Sequence, residues 1–256
     1  MIDMHSHILF GVDDGAKTID DSMNLIRDEV NKGVNHIILT PHYKKRLCNT
    51  NLQIIYDNFK LLKNSVEAEN LNVELFLGNE VYLDLNYYET IWNDSFYTLA
   101  GSDYILIEFS MINIPRNIPE VCYEARVKGY FPVIAHVERY EILYDNNQLI
   151  KNILNEGAHF QVNAFAVINK EDKESHKFVN FLLKNELVSF VASDVHNMDA
   201  RGFYMDEAYK TVKKQCSEAY ADKIFKLNQQ NIIMNKYFDS PNFPNERKGL
   251  LSKLFK

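Results

Sequence analysis

Cysteine is scarce in this sequence: Cys48, Cys122 and Cys216 are the only three among 256 residues, an odd number at wide spacing. They form neither a disulfide framework nor a thiolate metal motif, so a reducing, cytoplasmic setting is the default expectation. Long apolar runs are missing as well, and no stretch approaches the roughly 18 consecutive apolar residues of a membrane span. The N-terminus lacks a basic segment followed by an apolar one, so no signal peptide is expected. There is no surplus of basic residues: Lys and Arg number 28 against 35 Asp and Glu, for a formal charge of −7. That balance argues against a general nucleic-acid binder, whose affinity rests on neutralising phosphates. It leaves room for an anionic substrate where positive charge is supplied locally. No Pro/Gly-rich linker, internal repeat or low-complexity stretch divides the chain. What remains is ordinary globular material, 46% hydrophobic and 12% aromatic, enough for a sizeable core.

Two periodicities alternate along the chain, the pattern of an α/β fold with a largely parallel sheet. Strands are expected at 1–4, 34–40, 73–80, 104–109, 131–138, 160–165 and 187–194. Helices are expected over 51–70, 117–129, 147–156 and 171–185, with one or two more over 204–235. An earlier helix opens at Thr18, with Asp21 three residues on in the manner of a capping box. Ile19, Met23, Ile26 and Val30 then follow at helical spacing, and Gly33 stands where a helix terminator belongs. The economical reading is one domain of about seven βα units over 1–240, followed by a tail at 241–256. The end of that tail, RKGLLSKLFK, mixes basic and apolar residues. It reads as a loosely docked terminus, with a weak amphipathic contact to a membrane or partner as the alternative.

The position of the polar residues is more telling than their number. The first strand runs out through His5 and His7, and the second into His42. The third ends at Glu80, the fourth carries Glu108, the fifth carries His136, and the last leads into Asp194 and His196. Five of the eight histidines fall at such points; His36, His159 and His176 do not and are read as structural. Strands that repeatedly deliver His, Glu or Asp at their C-terminal ends fit a βα barrel, whose site is built from that rim. Any single strand-end histidine is more often hydrogen-bonded structure than a ligand. Glu108, inside the apolar run YILIEF, says more, because a buried carboxylate costs several kcal/mol unless it is paired or metal-bound. Imidazoles with hard carboxylates and no thiolate suit Zn, Mn or Fe.

These motifs, MIDMHSH with the following DDG, TPHY, GNE, IEF, IAHVERY and SDVH, resemble those of the PHP (polymerase and histidinol phosphatase) superfamily. VDDG, LIEF, AHVERY and ASDVHNMDAR are similar to the branch of manganese-dependent protein-tyrosine phosphatases from Gram-positive capsule and exopolysaccharide loci, the CpsB/CapC type. The likeness runs from Met1 to about residue 235. It implies a distorted (β/α)7 barrel, TIM-barrel-like, with three divalent metal ions at the C-terminal rim, most often Mn, with Fe or Zn as alternatives. Its ligands would be His5, His7, Asp14, His42, Glu80, Glu108, His136, Asp194 and His196. One division puts His5, His7, Glu80 and Asp194 on the first ion. Glu80, Glu108 and His136 then hold the second, and Asp14, His42 and His196 the third. Asp13 is left as an ordinary loop carboxylate.

The resemblance also assigns Arg139 and Arg201 to the substrate phosphate. A guanidinium fork matches phosphate oxygens bidentately, although either arginine could pair with a surface carboxylate instead. Three divalent ions would nearly cancel the formal charge of −7 and concentrate positive charge at the mouth. The expected reaction is hydrolysis in one displacement, with metals and arginines stabilising charge on phosphorus. His42 or His196 would help to protonate the leaving tyrosyl oxygen. A cysteine route is closed, because no cysteine opens a C-x5-R loop: Cys122 has Arg126 only four residues on. The implied partner is a phosphotyrosine protein, the tyrosine-rich tail of a bacterial autokinase, with recruitment to the membrane through that kinase. Two rivals are a histidinol-phosphatase-like phosphomonoesterase on the same fold and a non-catalytic metal-binding module.

Overall fold

A computed structural model describes residues 1–44, 51–83, 91–111, 114, 117–168, 172–198 and 202–244. The expected Arg201, Cys48 and the RKGLLSKLFK tail lie outside the described residues. Strands and helices alternate from the start, through β1 (Ile2–Ser6), α1 (Ile19–Asn31), β2 (His36–Leu39) and β3 (His42–Tyr43). Next come α2 (Leu52–Ala68), β4 (Glu74–Leu77), β5 (Glu80–Leu83), β6 (Tyr104–Phe109), α3 (Ile118–Val127) and β7 (Phe131–Ile134). The chain continues through α4 (Asn147–Asn155), β8 (His159–Asn163), α5 (Ala164–Val167), α6 (Lys173–Lys184), β9 (Phe190–Ala192) and α7 (Met205–Gln215). It closes with α8 (Glu218–Asp222), a π turn and α9 (Asn228–Ile233).

The first helix forms as its sequence predicts. Thr18 Oγ1 accepts from Asp21 N at 3.2 Å, and Asp21 Oδ2 accepts from Thr18 N at 2.9 Å, the reciprocal capping box. Met23 and Ile26 are buried, with Ile19 and Val30 packed beside them. Gly33, at φ +89°, takes the left-handed position after the last turn.

All strand pairs are parallel, in the orders β1-β2-β4 and β3-β5-β6-β7-β8-β9. The described residues hold nine strands rather than the expected seven. The difference lies in two breaks: β2 stops at Leu39 and resumes as β3 at His42, and β4 stops at Leu77 and resumes as β5 at Glu80. Gly78 fills the second break because a Cβ there would stand 3.2 Å from the Leu99 backbone. The two sheets meet at a Ser6–Val195 bridge, where His7 N donates to Val195 O and Asp194 N to His5 O, both at 2.9 Å. The buried Asp3 carboxylate fastens this seam, accepting from Ser193 N at 3.0 Å and from the Ser193 hydroxyl.

Period-two alternation sorts β6 between two cores. Ile105, Ile107 and Phe109 join the mantle under the helices, whereas Tyr104 and Leu106 face an inner cluster with Met4, Ile38, Val133, Ala135, Phe190, Ala192 and Ile232. Each fully buried Leu, Ile or Val there contributes about 1.5–3 kcal/mol. The α9 helix seals the inner cluster from below through Ile232, with Asn228 Nδ2 donating to Ser189 O at 2.7 Å and Gln229 Nε2 to Val191 O at 3.2 Å. Continuing β6 upward by the same alternation, the next inward residue is Glu108. The floor is therefore apolar and the rim ionisable.

Candidate metal centre

Above the inner cluster, the nine residues expected as ligands are joined into one group by contacts of 2.7–3.8 Å. Glu80 stands at its centre. Its Oε1 is 3.3 Å from His5 Nε2 and 2.9 Å from His136 Nε2, and its Oε2 is 3.3 Å from His7 Nε2 and 2.7 Å from His42 Nδ1. Asp194 Oδ1 approaches His5 Nε2 at 3.5 Å and His7 Nε2 at 3.4 Å. Asp14 Oδ1, on an exposed side chain, lies 3.3 Å from His42 Nε2 and 3.6 Å from His196 Nε2. Glu108 lies 3.6 Å from His42 Nδ1 and 3.8 Å from His136 Nε2.

Local backbone irregularities aim several of these groups. The register of β1 on β2 slips between Asp3 and Ser6, which lets His5 follow Met4 onto the inner side. Alternation alone would send His136 outward after Ala135, but a left-handed turn at φ 32° returns it to Glu80. Asp194 is left-handed too, at φ 53°. Such conformations cost roughly 1–3 kcal/mol each and cluster at functional sites. Here they are held by His136 N donating to Gln161 Oε1 at 2.8 Å and by the Asp194 N bond across the seam. Gly15 is obligatory beneath the acidic loop, because a Cβ there would fall 1.9 Å from His7 O.

The outer hydrogen bonds decide what the imidazoles offer. His7 Nδ1 lies 2.7 Å from Asp13 Oδ2, and His5 Nδ1 lies 3.1 Å from Gln161 Oε1. Both partners are oxygens that accept, so each contact fits a proton on Nδ1 and turns Nε2 inward, where a cation can take its lone pair. Those two Nε2 atoms stand only 3.3 Å apart, among carboxylates that can only accept. His42 Nδ1, Glu80 Oε2 and Glu108 Oε2 have no aligned hydrogen-bond partner among the described residues. Imidazole nitrogens and carboxylate oxygens converging this closely fit divalent cations, and nitrogen with carboxylate oxygen is a set suited to Mn, Fe or Zn.

Electrostatics point the same way. Burial opposes ionisation of Glu80, yet His5, His42 and His136 hold its carboxyl well below the usual range. Burial likewise opposes protonation of His42, but Glu80 and Asp14 push its pKa up to about 9. His7 is driven well above its ordinary value by Asp13 and Glu80 against the same burial penalty. The cluster demands positive charge, as protons or as metal.

The grouping differs from the expected division. Compact sets form from His5, His7 and Glu80, from His7, Asp14, His42 and His196, and from His42, Glu80 and Glu108. His7 and His42 are therefore shared, because the 2.7 Å approach to Glu80 Oε2 draws His42 inward from the outer set. Asp13 is no ordinary loop carboxylate. Its side chain is 4% exposed, and it accepts from Gly15 N at 2.9 Å and His42 N at 3.1 Å besides its contact with His7. Arg139 NH1 meets Asp194 Oδ2 at 3.2 Å, so its carboxylate partner belongs to the site and not to the surface. Two residues beyond the expected set also serve here. Gln161 orients His5, and Asn163 Nδ2 donates to Asp194 Oδ2 at 2.8 Å. Their signal was present in FQVNAF, where polar residues at period two interrupt an apolar strand. His159 and His176 lie outside the cluster, on Ser189 Oγ and Ala166 O respectively.

The described cysteines are no alternative nucleophiles, since burial pushes both the Cys122 and Cys216 thiols up. No described helix is long and apolar enough to cross a membrane.

Comparison with known proteins places this geometry. The tyrosine-protein phosphatase CpsB of Streptococcus agalactiae is 35% identical over 242 residues, covering 93% of this chain and all of that protein. The tyrosine-protein phosphatase YwqE of Bacillus subtilis is 31% identical over 215 residues, covering 84% and 85% of the two chains. A crystal structure from work on YwqE and Streptococcus pneumoniae CpsB, described as unique metal-dependent tyrosine phosphatases, superposes with a TM-score of 0.87 at 29% identity. It covers 96% of this chain and 100% of that one. A histidinol phosphate phosphatase from Lactococcus lactis shares the fold alone, with a TM-score of 0.56 at 16% identity. Residues 1–234 match the family described as capsular polysaccharide synthesis, CpsB/CapC, and the chain belongs to that family.

Proposed function

We propose that this chain is a metal-dependent protein-tyrosine phosphatase that hydrolyses phosphotyrosine on the tyrosine-rich tail of a bacterial autokinase regulating capsule or exopolysaccharide synthesis. It works in the cytoplasm, recruited to the membrane through that kinase, with three divalent ions, Mn foremost and Fe or Zn as alternatives. The observation that carries this reading is the convergence of imidazole nitrogens and carboxylate oxygens around Glu80, with the Nδ1 atoms of His5 and His7 engaged by Gln161 and Asp13. The likeness to named tyrosine-protein phosphatases over nearly the whole chain supports the substrate class.

His5, His7, Asp14, His42, Glu80, Glu108, His136, Asp194 and His196 hold the ions. The chemistry that divalent ions supply when held there is polarisation of the phosphoryl group and activation of water. Asp13 and Gln161 keep the His7 and His5 lone pairs turned inward, so that the site is organised before substrate arrives. Arg139, seated beside Asp194, and Arg201 bind the phosphate oxygens as forked donors and stabilise charge as it spreads over them. His42 or His196 would deliver the proton to the leaving tyrosyl oxygen only from a ring nitrogen that holds no ion.

The test strips the protein with chelator and restores Mn, Fe or Zn in turn, assaying a phosphotyrosyl peptide beside histidinol phosphate. Activity on the peptide should vanish with the metal and return at about three equivalents per chain, best with Mn. Activity that survives chelation and dies with a thiol alkylator would overturn the metal mechanism. A preference for histidinol phosphate would transfer the chain to the small-molecule reading.

A further inference from the structure

One cation in the site belongs to none of the ligand sets. Lys44 follows β3, and its Nζ lies 3.1 Å from His42 Nε2 and 3.3 Å from Glu108 Oε2. The ammonium also lies 5.3 Å from the centroid of the Tyr82 ring. Tyr82 is the register partner of Glu108 across β5 and β6, so ring and carboxylate stand side by side next to it. The Lys44 side chain is 23% exposed, whereas those of His5, His7 and Glu80 are at most 1% exposed. Lys44 is thus at the mouth of the site and not in its floor.

Its chemistry separates it from its neighbours. An ammonium carries three donors and no lone pair, so it can never join the residues that hold the cations. Divalent ions held by His42 and Glu108 would take up those lone pairs and repel the positive ammonium from the same atoms. The contact with Tyr82 keeps the stem from leaving the mouth altogether. The acceptor that enters the mouth in the working enzyme is the doubly charged phosphate of the substrate. We propose that Lys44 is a substrate-binding residue of this site, donating from its ammonium to the phosphate oxygens. It approaches from the β3 side, where it faces His42 and Glu108, while Arg139 is anchored on the β7 side at Asp194. A flexible point charge on one side and a fixed fork on the other hold a tetrahedral anion without demanding one rigid pose. This inference rests on the phosphatase reading above.

The experiment uses the full chain, metal-replete, as wild type, Lys44→Met and Lys44→Arg. Lys44→Met keeps the apolar stem on Tyr82 and removes the charge; Lys44→Arg keeps the charge. Metal content, calorimetric affinity for inorganic phosphate, and KM and kcat on a phosphotyrosyl peptide are measured for each. Lys44→Met should retain wild-type metal content while binding phosphate roughly tenfold or more weakly, the factor expected for one charge-assisted hydrogen bond. KM should rise in parallel, and Lys44→Arg should recover most of both. Wild-type phosphate affinity in metal-replete Lys44→Met would overturn the proposal. So would a defect that disappears at saturating metal, because Lys44 would then only position the ligands. If the wild type neither binds phosphate nor hydrolyses the peptide when metal-replete, the phosphatase reading falls and takes this role with it. An active wild type beside an unaffected Lys44→Met sinks the Lys44 role alone.

Discussion

The floor and the rim of the same inner face treat histidine in opposite ways. His159, on β8, is fully buried, with its Nδ1 3.0 Å from Ser189 Oγ and with the rings of Phe190, Phe238 and Tyr104 around it. Burial, with Arg126 nearby, pushes its pKa down to about 3 and keeps it neutral. His42, at the rim, is nearly as well buried, yet Glu80 and Asp14 push it up to about 9. Burial by itself discharges an imidazole; only facing carboxylates turn it into a group that calls for a cation. That contrast separates a packing histidine from one placed to hold a cation more sharply than strand position does.

The comparison breaks most completely at Glu80, which touches His5, His7, His42 and His136 at once. Glu80→Gln should lose metal and fall to the activity of chelated protein, as measured by metal content and peptide hydrolysis together. Full metal content in that variant would remove Glu80 from the centre of the cluster. Asp13→Ala tests a smaller step, because it frees the His7 ring without removing a ligand. Metal affinity or activity should drop roughly 10- to 100-fold, the usual cost of losing the partner that orients a ligating histidine. If Asp13→Ala binds metal normally, the 2.7 Å contact with His7 has no orienting role.

The floor should answer in stability instead. Ile232→Ala empties part of the inner cluster far from any ligand and should cost about 2–4 kcal/mol in urea unfolding. Activity per mole of folded, metal-replete protein should stay at wild type. The smallest effects are those of pH on metal-free protein. His42 keeps its proton to about pH 9 when folded and releases it near 6.5 when unfolded. Its stabilisation is complete below 6.5 and is lost as pH rises through 9, while metal affinity climbs over that window because the competing proton leaves. His159 runs in reverse, its contribution full above 6.5 and lost as pH falls toward 3. His159→Phe should flatten part of the acid limb, and His42→Gln part of the alkaline one. Identical pH profiles for both variants would refute the contrast.

Much of this was legible in advance. Alternation placed Glu108 inward because Tyr104 and Leu106 precede it on the same face. The capping box at Thr18 formed because both of its partners lie within four residues of each other. The role of Asp13 is not legible in the sequence because a carboxylate in a loop has no periodicity; it depends on Gly15 folding the loop under His7. Lys44 is hidden in the sequence for the same reason, its neighbours Glu108 and Tyr82 being brought to it only by strand pairing.

By itself, then, the order of residues determined the alternation of strands and helices, which strand ends carry side chains able to hold a cation, and which chemical family of cation they suit. Those properties depend on local periodicity and on the donor atoms of each side chain, and both travel with the chain. Tertiary structure alone decided that Glu80 stands at the centre, that His7 and His42 each fall in two compact groups able to hold an ion, and that Asp13 meets His7 Nδ1. The pairings that do this join residues far apart in the chain, such as Asp3 with Ser193 and His5 with Gln161, and no local pattern records them.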